Sequence, residues 1–194
     1  GVYNIENALA AVKVCLDLGV PLAACAAGLA KYKGVQRRFQ TVGETGGILV
    51  VDDYAHNPAK VAAVLGALRA GGNRRIIAVY QPHGFTPTRL LKKELVEAFA
   101  ANLREGDVLF MPEIFYAGGT VAKDISSKYL VDELSKLGKK AFYFEQRADI
   151  ADRAVRLAQP GDIFIVMGAR DWTLSDFAKE LFEKIKGKAE AAVI

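Results

Sequence analysis

Four short apolar runs, Ile76 to Tyr80, Val108 to Met111, Ala141 to Phe144 and Ile163 to Met167, alternate along the chain with longer stretches at helical spacing. Runs this short and this uniformly apolar fit strands buried on both faces. The helical stretches are Pro58 to Ala70, Leu90 to Leu103, Ile125 to Leu137, Ala148 to Leu157 and Leu174 to Lys186. Strands joined through helices pair as parallel crossovers, so the pattern predicts an α/β fold with a mostly parallel sheet and helices on both faces. Ahead of them, Arg38 to Gly43 and Ile48 to Asp52 read as two strands of a hairpin joined by Glu44-Thr45-Gly46-Gly47.

The first thirty-odd residues differ. Asn4 to Leu18 and Pro21 to Tyr32 are rich in Ala and Leu, as a helix pair would be, with Gly19 as a stop and Pro21 as an N1 start. Composition changes after Lys33, which places a domain boundary between residues 1–33 and 34–194. The apolar stretch from Ala8 to Ala30 is broken by Lys13, Asp17 and Pro21, so no membrane span is expected. Lys and Arg number 26 against 22 Asp and Glu, and the net charge of +4 is scattered without a basic run. No nucleic-acid partner is expected from it. Two cysteines, Cys15 and Cys25, with only His56 and His83 as other soft ligands, make a disulfide framework or zinc site an unexpected outcome. The start at Gly1, with no Met and no targeting segment, is the start expected of a fragment.

In parallel sheets ligands bind beyond the carboxyl ends of the strands, which directs attention to the loops after Val51, Tyr80, Met111 and Met167. Asp107 and Asp162, each after a Gly at the opposite end, read as turn residues with a structural role. The first loop, Asp52-Asp53-Tyr54-Ala55-His56-Asn57-Pro58, contains a helix cap in Asn57 and Pro58, but capping leaves two acids and a histidine unexplained. A carboxylate there can bind a ribose hydroxyl or a hydrated Mg²⁺, and an imidazole can reach a phosphate or carboxylate. The second, Gln81-Pro82-His83-Gly84-Phe85-Thr86-Pro87-Thr88-Arg89, reads as a rigid polar loop in which His83 and Arg89 are either functional or a packing residue and a surface charge. The third, Pro112 to Thr120, is a purine slot or a plain turn. In the fourth, Met167-Gly168-Ala169-Arg170-Asp171-Trp172, Gly168 suits a close backbone approach and Trp172 is expected to pack. Neither GxxxxGK[ST] nor a GxGxxG after a strand occurs, so the chain carries no phosphate cradle of its own.

Taken in order, Asn4-Ile5-Glu6-Asn7-Ala8-Leu9-Ala10-Ala11, Gly34-Val35-Gln36-Arg37-Arg38-Phe39, the Asp52 to Pro58 loop, Gln81-Pro82-His83 and Met167-Gly168-Ala169-Arg170-Asp171 resemble the Mur ligases, and within them the branch that joins L-alanine to UDP-N-acetylmuramate. The resemblance implies the Rossmann-like C-terminal domain at 34–194, with residues 1–33 as the helical tail of a central P-loop ATPase domain. It further implies a cytoplasmic enzyme of peptidoglycan precursor synthesis that uses ATP and Mg²⁺. Such an enzyme phosphorylates the carboxylate of a nucleotide-sugar and lets an amino acid attack the acyl phosphate, with rotation about a hinge near Lys33 to Val35. By the same resemblance Asn4 and Asn7 lie near adenine and ribose, Arg38 reaches the nucleotide, and Asp53 holds the ribose or Mg²⁺ region. His56 and Asn57 border the amino-acid and acyl-phosphate site, and Tyr54, His83, Arg89 and Arg170 belong to substrate binding.

One departure bears on the acceptor. The branch resembled carries Arg-Tyr-Thr-Arg-Thr-Arg after Gln-Pro-His, and its first two arginines hold the incoming carboxylate; here those positions are Gly84 and Pro87, leaving Arg89 and raising Arg170 as a substitute. Tyr3 stands where the family often has His. Two other readings remain: a non-catalytic nucleotide or amino-acid binding module, and a folylpolyglutamate-synthase-like ligase domain, which the Asp-Asp-Tyr-Ala-His-Asn-Pro string permits and Gln81-Pro82-His83 disfavours.

Overall fold

In the computed structural model, which describes residues 2–191, the chain divides into two compact units, residues 1–36 and 37–194. The smaller unit holds α1 (Val2–Asp17) and α2 (Leu22–Lys31). Gly19 takes the turn between them at φ +80°. Pro21 is the N-cap of α2, one position earlier than the N1 place expected for it. The division falls three residues beyond the expected boundary because Arg37 is built into the larger unit: its carbonyl accepts the Tyr54 N–H at 2.6 Å and its side chain is buried.

The larger unit runs β1 (Gln40–Thr45), β2 (Ile48–Asp53), α3 (Pro58–Ala70), β3 (Ile76–Gln81), α4 (Phe85–Leu90), α5 (Lys92–Asn102), β4 (Val108–Pro112), α6 (Lys128–Lys136), β5 (Ala141–Phe144), α7 (Ala148–Leu157), β6 (Ile163–Gly168) and α8 (Thr173–Ala191). The sheet order is β1-β2-β6-β3-β4-β5. Only the β1–β2 pair is antiparallel. Its hairpin turns on Gly46 and Gly47, whose φ values of +54° and +74° match the mirror-image turn that suits twisted strands.

Side chains along each strand alternate between two cores. Val51, Ile76, Ala78, Tyr80, Leu109 and Ile165 face α3, α5 and α6, whereas Val50, Ile77, Val79, Phe110, Phe164 and Val166 face α7 and α8. Both faces are thus covered, which is why the strands read as unbroken apolar runs. At the amino ends of the strands, Asp107 accepts from Ile76 N at 2.8 Å and Arg104 N at 2.7 Å and pairs with Arg69. Asp162 pairs with Arg75 at 2.6 Å and accepts from Gln159 N at 2.8 Å. These turns anchor the end of the sheet remote from the loops of interest. Among the described residues no helix is long and apolar enough to cross a membrane.

Several elements depart from the sequence pattern. Arg37 and Phe39 adopt φ of +56° and +51°, which kinks the chain and delays β1 to Gln40. The segment expected as a rigid loop contains α4, closed by Thr88 N–H and Thr88 Oγ1 donating to the Gly84 carbonyl at 3.2 and 2.8 Å. Helix α6 begins at Lys128, not Ile125, because Ser126 and Ser127 are held by Glu113 and the Pro112 carbonyl. Trp172, expected to pack, is 76% exposed, since the chain turns outward there before α8.

Candidate functional site

Strand β6 lies between β2 and β3, in register Asp53 with Met167 and Gln81 with Gly168. After β2 and β3 the chain passes to helices on one face, and after β6 to α8 on the other. A crevice therefore opens at these carboxyl ends, the place where α/β sheets bind ligands. The loops 52–58, 81–89 and 168–172 meet there. Loop 113–127 joins them through a bridge between His83 and Phe115, with Gly84 N donating to Phe115 O at 2.9 Å and Phe115 N to Pro82 O at 2.8 Å.

Much of the motif chemistry turns out to be scaffold. Arg37, only 4% exposed, donates from Nε to Asp52 Oδ1 at 3.3 Å, from Nη1 to the Asp171 carbonyl at 3.1 Å and from Nη2 to the Gly168 carbonyl at 2.8 Å. Asp52 is buried with it and also accepts from Ser175 Oγ at 2.6 Å. One guanidinium fork thus fastens the ends of β2 and β6. Arg147 does the same between β3 and β6, donating to Gln81 Oε1 and Thr173 Oγ1 at 2.6 Å each and pairing with Asp171. Burial opposes ionisation of Asp171, but bonds from Thr173 and Arg147 outweigh it and hold its carboxyl below the usual range. Gly168 has no room for a side chain: a Cβ would stand 2.7 Å from Leu174 Cδ1 and 2.9 Å from the Gln81 carbonyl. That is the close approach expected of it. Arg147 carries no motif that sets it apart from other basic residues, and only the fold brings it to the crevice.

The expected site residues fall into three groups. Asp53, Tyr54, His56, His83 and Arg170 come together at the crevice. Both oxygens of Asp53 are engaged, accepting from Phe39 N at 2.6 Å and Ala55 N at 2.7 Å. Burial nonetheless lifts its carboxyl above the usual range, against those two N–H bonds and the nearby charge of Arg38. Tyr54 lies under the Arg37 guanidinium at 5.1 Å, and its hydroxyl accepts from Arg170 N at 3.2 Å. His56 meets Tyr54 and His83 edge-on, with ring centroids 5.5 and 5.3 Å apart. Its Nδ1 lies 2.9 Å from the Tyr54 carbonyl, which can only accept, so Nδ1 carries a hydrogen and Nε2 is the ring nitrogen left free of that bond. Burial, with the charges of His56 and Arg170, holds the His83 imidazole below its ordinary value.

Arg38 and Asn57 form the second group, beside the crevice in other roles. Arg38 is exposed between the two kinked residues. Asn57 caps α3, its Oδ1 accepting from Lys60 N at 3.0 Å. Arg89, in the third group, pairs with Asp124. Asn4 and Asn7 lie exposed on α1 of the smaller unit. Among the described residues no three His, Cys, Asp or Glu side chains cluster as a metal cage. Asp53 retains free lone pairs for an outer contact with water on a metal ion.

Glu113 orders the fourth loop, accepting from Ile114 N at 2.6 Å, Ser127 N at 3.1 Å, Tyr143 OH at 3.0 Å and Ser126 Oγ. Burial works against its charge, yet these bonds prevail and hold its carboxyl below the usual range. Such a group stabilises the native state above the unfolded-chain value of about 4.3, and that contribution is lost as pH falls through the lower native value. Acidification through this window is expected to lower the protection of the Ile114 and Ser127 amides, read as exchange relative to the unfolded chain at the same pH, and Glu113→Gln to abolish that change. Protection that ignores pH in the native protein would contradict this.

Residues 37–170 match the family described as Mur ligase, glutamate ligase domain. The chain belongs to the Mur ligase family. This Mur ligase domain is 36% identical over 189 residues to the UDP-N-acetylmuramate–L-alanine ligase of Geotalea uraniireducens, covering 96% of the chain and 40% of that protein. It is 39% identical over 171 residues to the enzyme of the same name from Geobacter sulfurreducens, covering 87% and 36%. The chain spans about two fifths of the length of these curated relatives. The crystal structure of a UDP-N-acetylmuramate–alanine ligase from Thermotoga maritima matches with a TM-score of 0.73 at 25% identity, over 97% of this chain and 39% of that one. A murein peptide ligase from Psychrobacter arcticus shares the fold, with a TM-score of 0.67 at 22% identity over 96% and 37%.

Proposed function

We propose that this chain is the acceptor-binding part of an ATP-dependent amide ligase of peptidoglycan precursor synthesis, acting in the cytoplasm on a UDP-N-acetylmuramate-type nucleotide-sugar and an amino acid. The observation that carries the reading is the convergence of Asp53, Tyr54, His56, His83 and Arg170 at one crevice in a chain with no phosphate cradle. A site of this kind positions an acceptor and supplies charge, and takes its activated carboxylate from elsewhere in the protein, where a P-loop domain holds ATP.

In the proposed reaction the γ-phosphoryl group passes to the sugar's carboxylate. The acceptor nitrogen then attacks the carbonyl carbon, the C–N bond forms, the C–O bond to phosphate breaks, and inorganic phosphate leaves. The acceptor must first lose a proton from its ammonium group, and we assign that proton to Nε2 of His56, the ring nitrogen that the Nδ1 bond to the Tyr54 carbonyl leaves free. Arg38, exposed beside Asp53, supplies positive charge toward the nucleotide's phosphates, while Asp53 accepts from the ribose or from water on Mg²⁺. Mg²⁺, when bound, neutralises phosphate charge during transfer. Asn57 and Arg89 keep the acceptor loops in place through the cap and the Asp124 pair, and Asn4 and Asn7 are assigned to adenine and ribose.

The complete protein tests this: ADP formation is expected to require both the nucleotide-sugar and an amino acid. ADP release that is indifferent to both would overturn the reading.

A further inference from the structure

A cleft of about 190 Å³ adjoins the crevice, walled by His83, Gly84, Phe85, Tyr116, Val121 and Arg170. Its lining holds no acidic residue among those described. Asp171 is committed to Arg147 and Thr173, and Asp53 to two backbone N–H groups; Glu113 and Asp124, which line the adjoining hollow with Phe85, are held by Ser126, Ser127 and Tyr143 and by Arg89. Arg89 is turned away to Asp124. Arg170 is thus the guanidinium left to the cleft, and its side chain makes no hydrogen bond or ion pair among the described residues; only its backbone N–H is engaged, by the Tyr54 hydroxyl.

The backbone adds a second observation. Arg170 sits at φ +63°, a conformation that favours glycine and costs a residue with a Cβ. Local structure gains nothing from an arginine there, so what it contributes is the charge it presents to the cleft. The same cleft carries the Phe85 and Tyr116 rings, 5.6 Å apart, and Val121, with Lys123 Nζ over the Tyr116 ring at 4.4 Å. The space is several times the ~30 Å³ share of a water molecule, itself close to the size of a methyl group.

We propose that Arg170 anchors the carboxylate of the acceptor amino acid and that the Phe85–Tyr116–Val121 wall selects an acceptor whose apolar side chain is larger than methyl. This rests on the ligase reading above and deepens it by assigning the specificity-determining residues. A guanidinium fork matches a carboxylate with two parallel N–H bonds, which a neutral amide cannot accept equally. His83, whose imidazole burial holds below its ordinary value, lines the same cleft within reach of a further hydrogen bond to that anion.

The test uses the complete protein with L-alanine, L-leucine and L-phenylalanine and the corresponding amides, and compares Arg170 with Arg170→Gly. Glycine relieves the positive φ, so a lost function in this variant is not a lost fold. The KM for the preferred acceptor is expected to rise about 10- to 100-fold, with the KM for ATP and for the nucleotide-sugar unchanged. Discrimination between acid and amide should disappear in the variant, and Tyr116→Ala should reduce the preference for leucine or phenylalanine over alanine. Turnover with unchanged acceptor KM and unchanged acid-to-amide ratio would overturn the anchor. Preference for L-alanine over both larger acceptors would overturn the apolar selection. ATP consumption that ignores every acceptor would overturn the ligase reading, and this proposal with it.

Discussion

Replacing Arg37 with alanine is expected to lower the unfolding free energy by about 3–5 kcal/mol, the range for removing one partner of a buried ion pair. The substitution strands the Asp52 carboxylate inside the protein and takes a donor from the Gly168 and Asp171 carbonyls at once, leaving Asp171 O only the long bond from Leu174 N at 3.4 Å. Ser175 cannot compensate, because a hydroxyl already bonded to Asp52 Oδ2 adds no charge. Arg37→Lys restores a charge but not a fork that reaches three acceptors, so it should recover only part of the loss. Urea unfolding followed by far-ultraviolet circular dichroism measures both variants; Trp172, largely exposed, is a poor reporter. A loss below about 1 kcal/mol for Arg37→Ala, the level of a surface pair, would contradict the scaffold role.

Asp53 behaves differently because its effect is on rate. In the complete enzyme Asp53→Ala is expected to cost about 2–4 kcal/mol of transition-state stabilisation, the scale for one preorganised charge-stabilising group, read as kcat/KM. The substitution also frees Phe39 N and Ala55 N, which hold Arg38 and His56 in place on either side. A carboxyl whose native pKa is raised stabilises the fold below the unfolded value of about 3.9, and loses that contribution as pH rises through the native value. Asp53→Asn keeps one acceptor oxygen for two N–H groups and turns an amide donor toward the other, so the urea midpoint should fall modestly while kcat/KM falls far more. Unchanged kcat/KM in both variants would remove Asp53 from the site.

The parallel sheet was legible because its strands are covered on both faces, which turns Ile76 to Tyr80 and Ile163 to Met167 into uninterrupted apolar runs bounded by turn residues. Helix α4 was not, since Gly84 and Pro87 have loop chemistry and the Gly84 carbonyl supplies the closure only once Thr88 is in place. Neighbouring residues of like type are harder still. Nothing local separates Arg37 from Arg38 or Asp52 from Asp53; the kinks at Arg37 and Phe39 bury the first arginine and leave the second exposed, and strand alternation along β2 buries Asp52 and leaves Asp53 half-buried at the crevice. Arg147 reaches Gln81 and Asp171 only through the crossover that sets β6 between β2 and β3. Arg170 stood out as a charge in a loop, but its left-handed backbone, which makes the side chain a cost to explain, is visible only in three dimensions.

We propose that this domain serves a reaction in which ATP activates a carboxylate as an acyl phosphate before the acceptor attacks. The direct measurement supplies the complete protein with ATP, an acceptor amino acid and UDP-N-acetylmuramate labelled with ¹⁸O in its carboxylate, and analyses the released phosphate by mass. Activation through an acyl phosphate places one labelled oxygen from the carboxylate in each phosphate as the amide forms. Unlabelled phosphate accompanying amide formation, or phosphate released with no amide formed, would contradict the account.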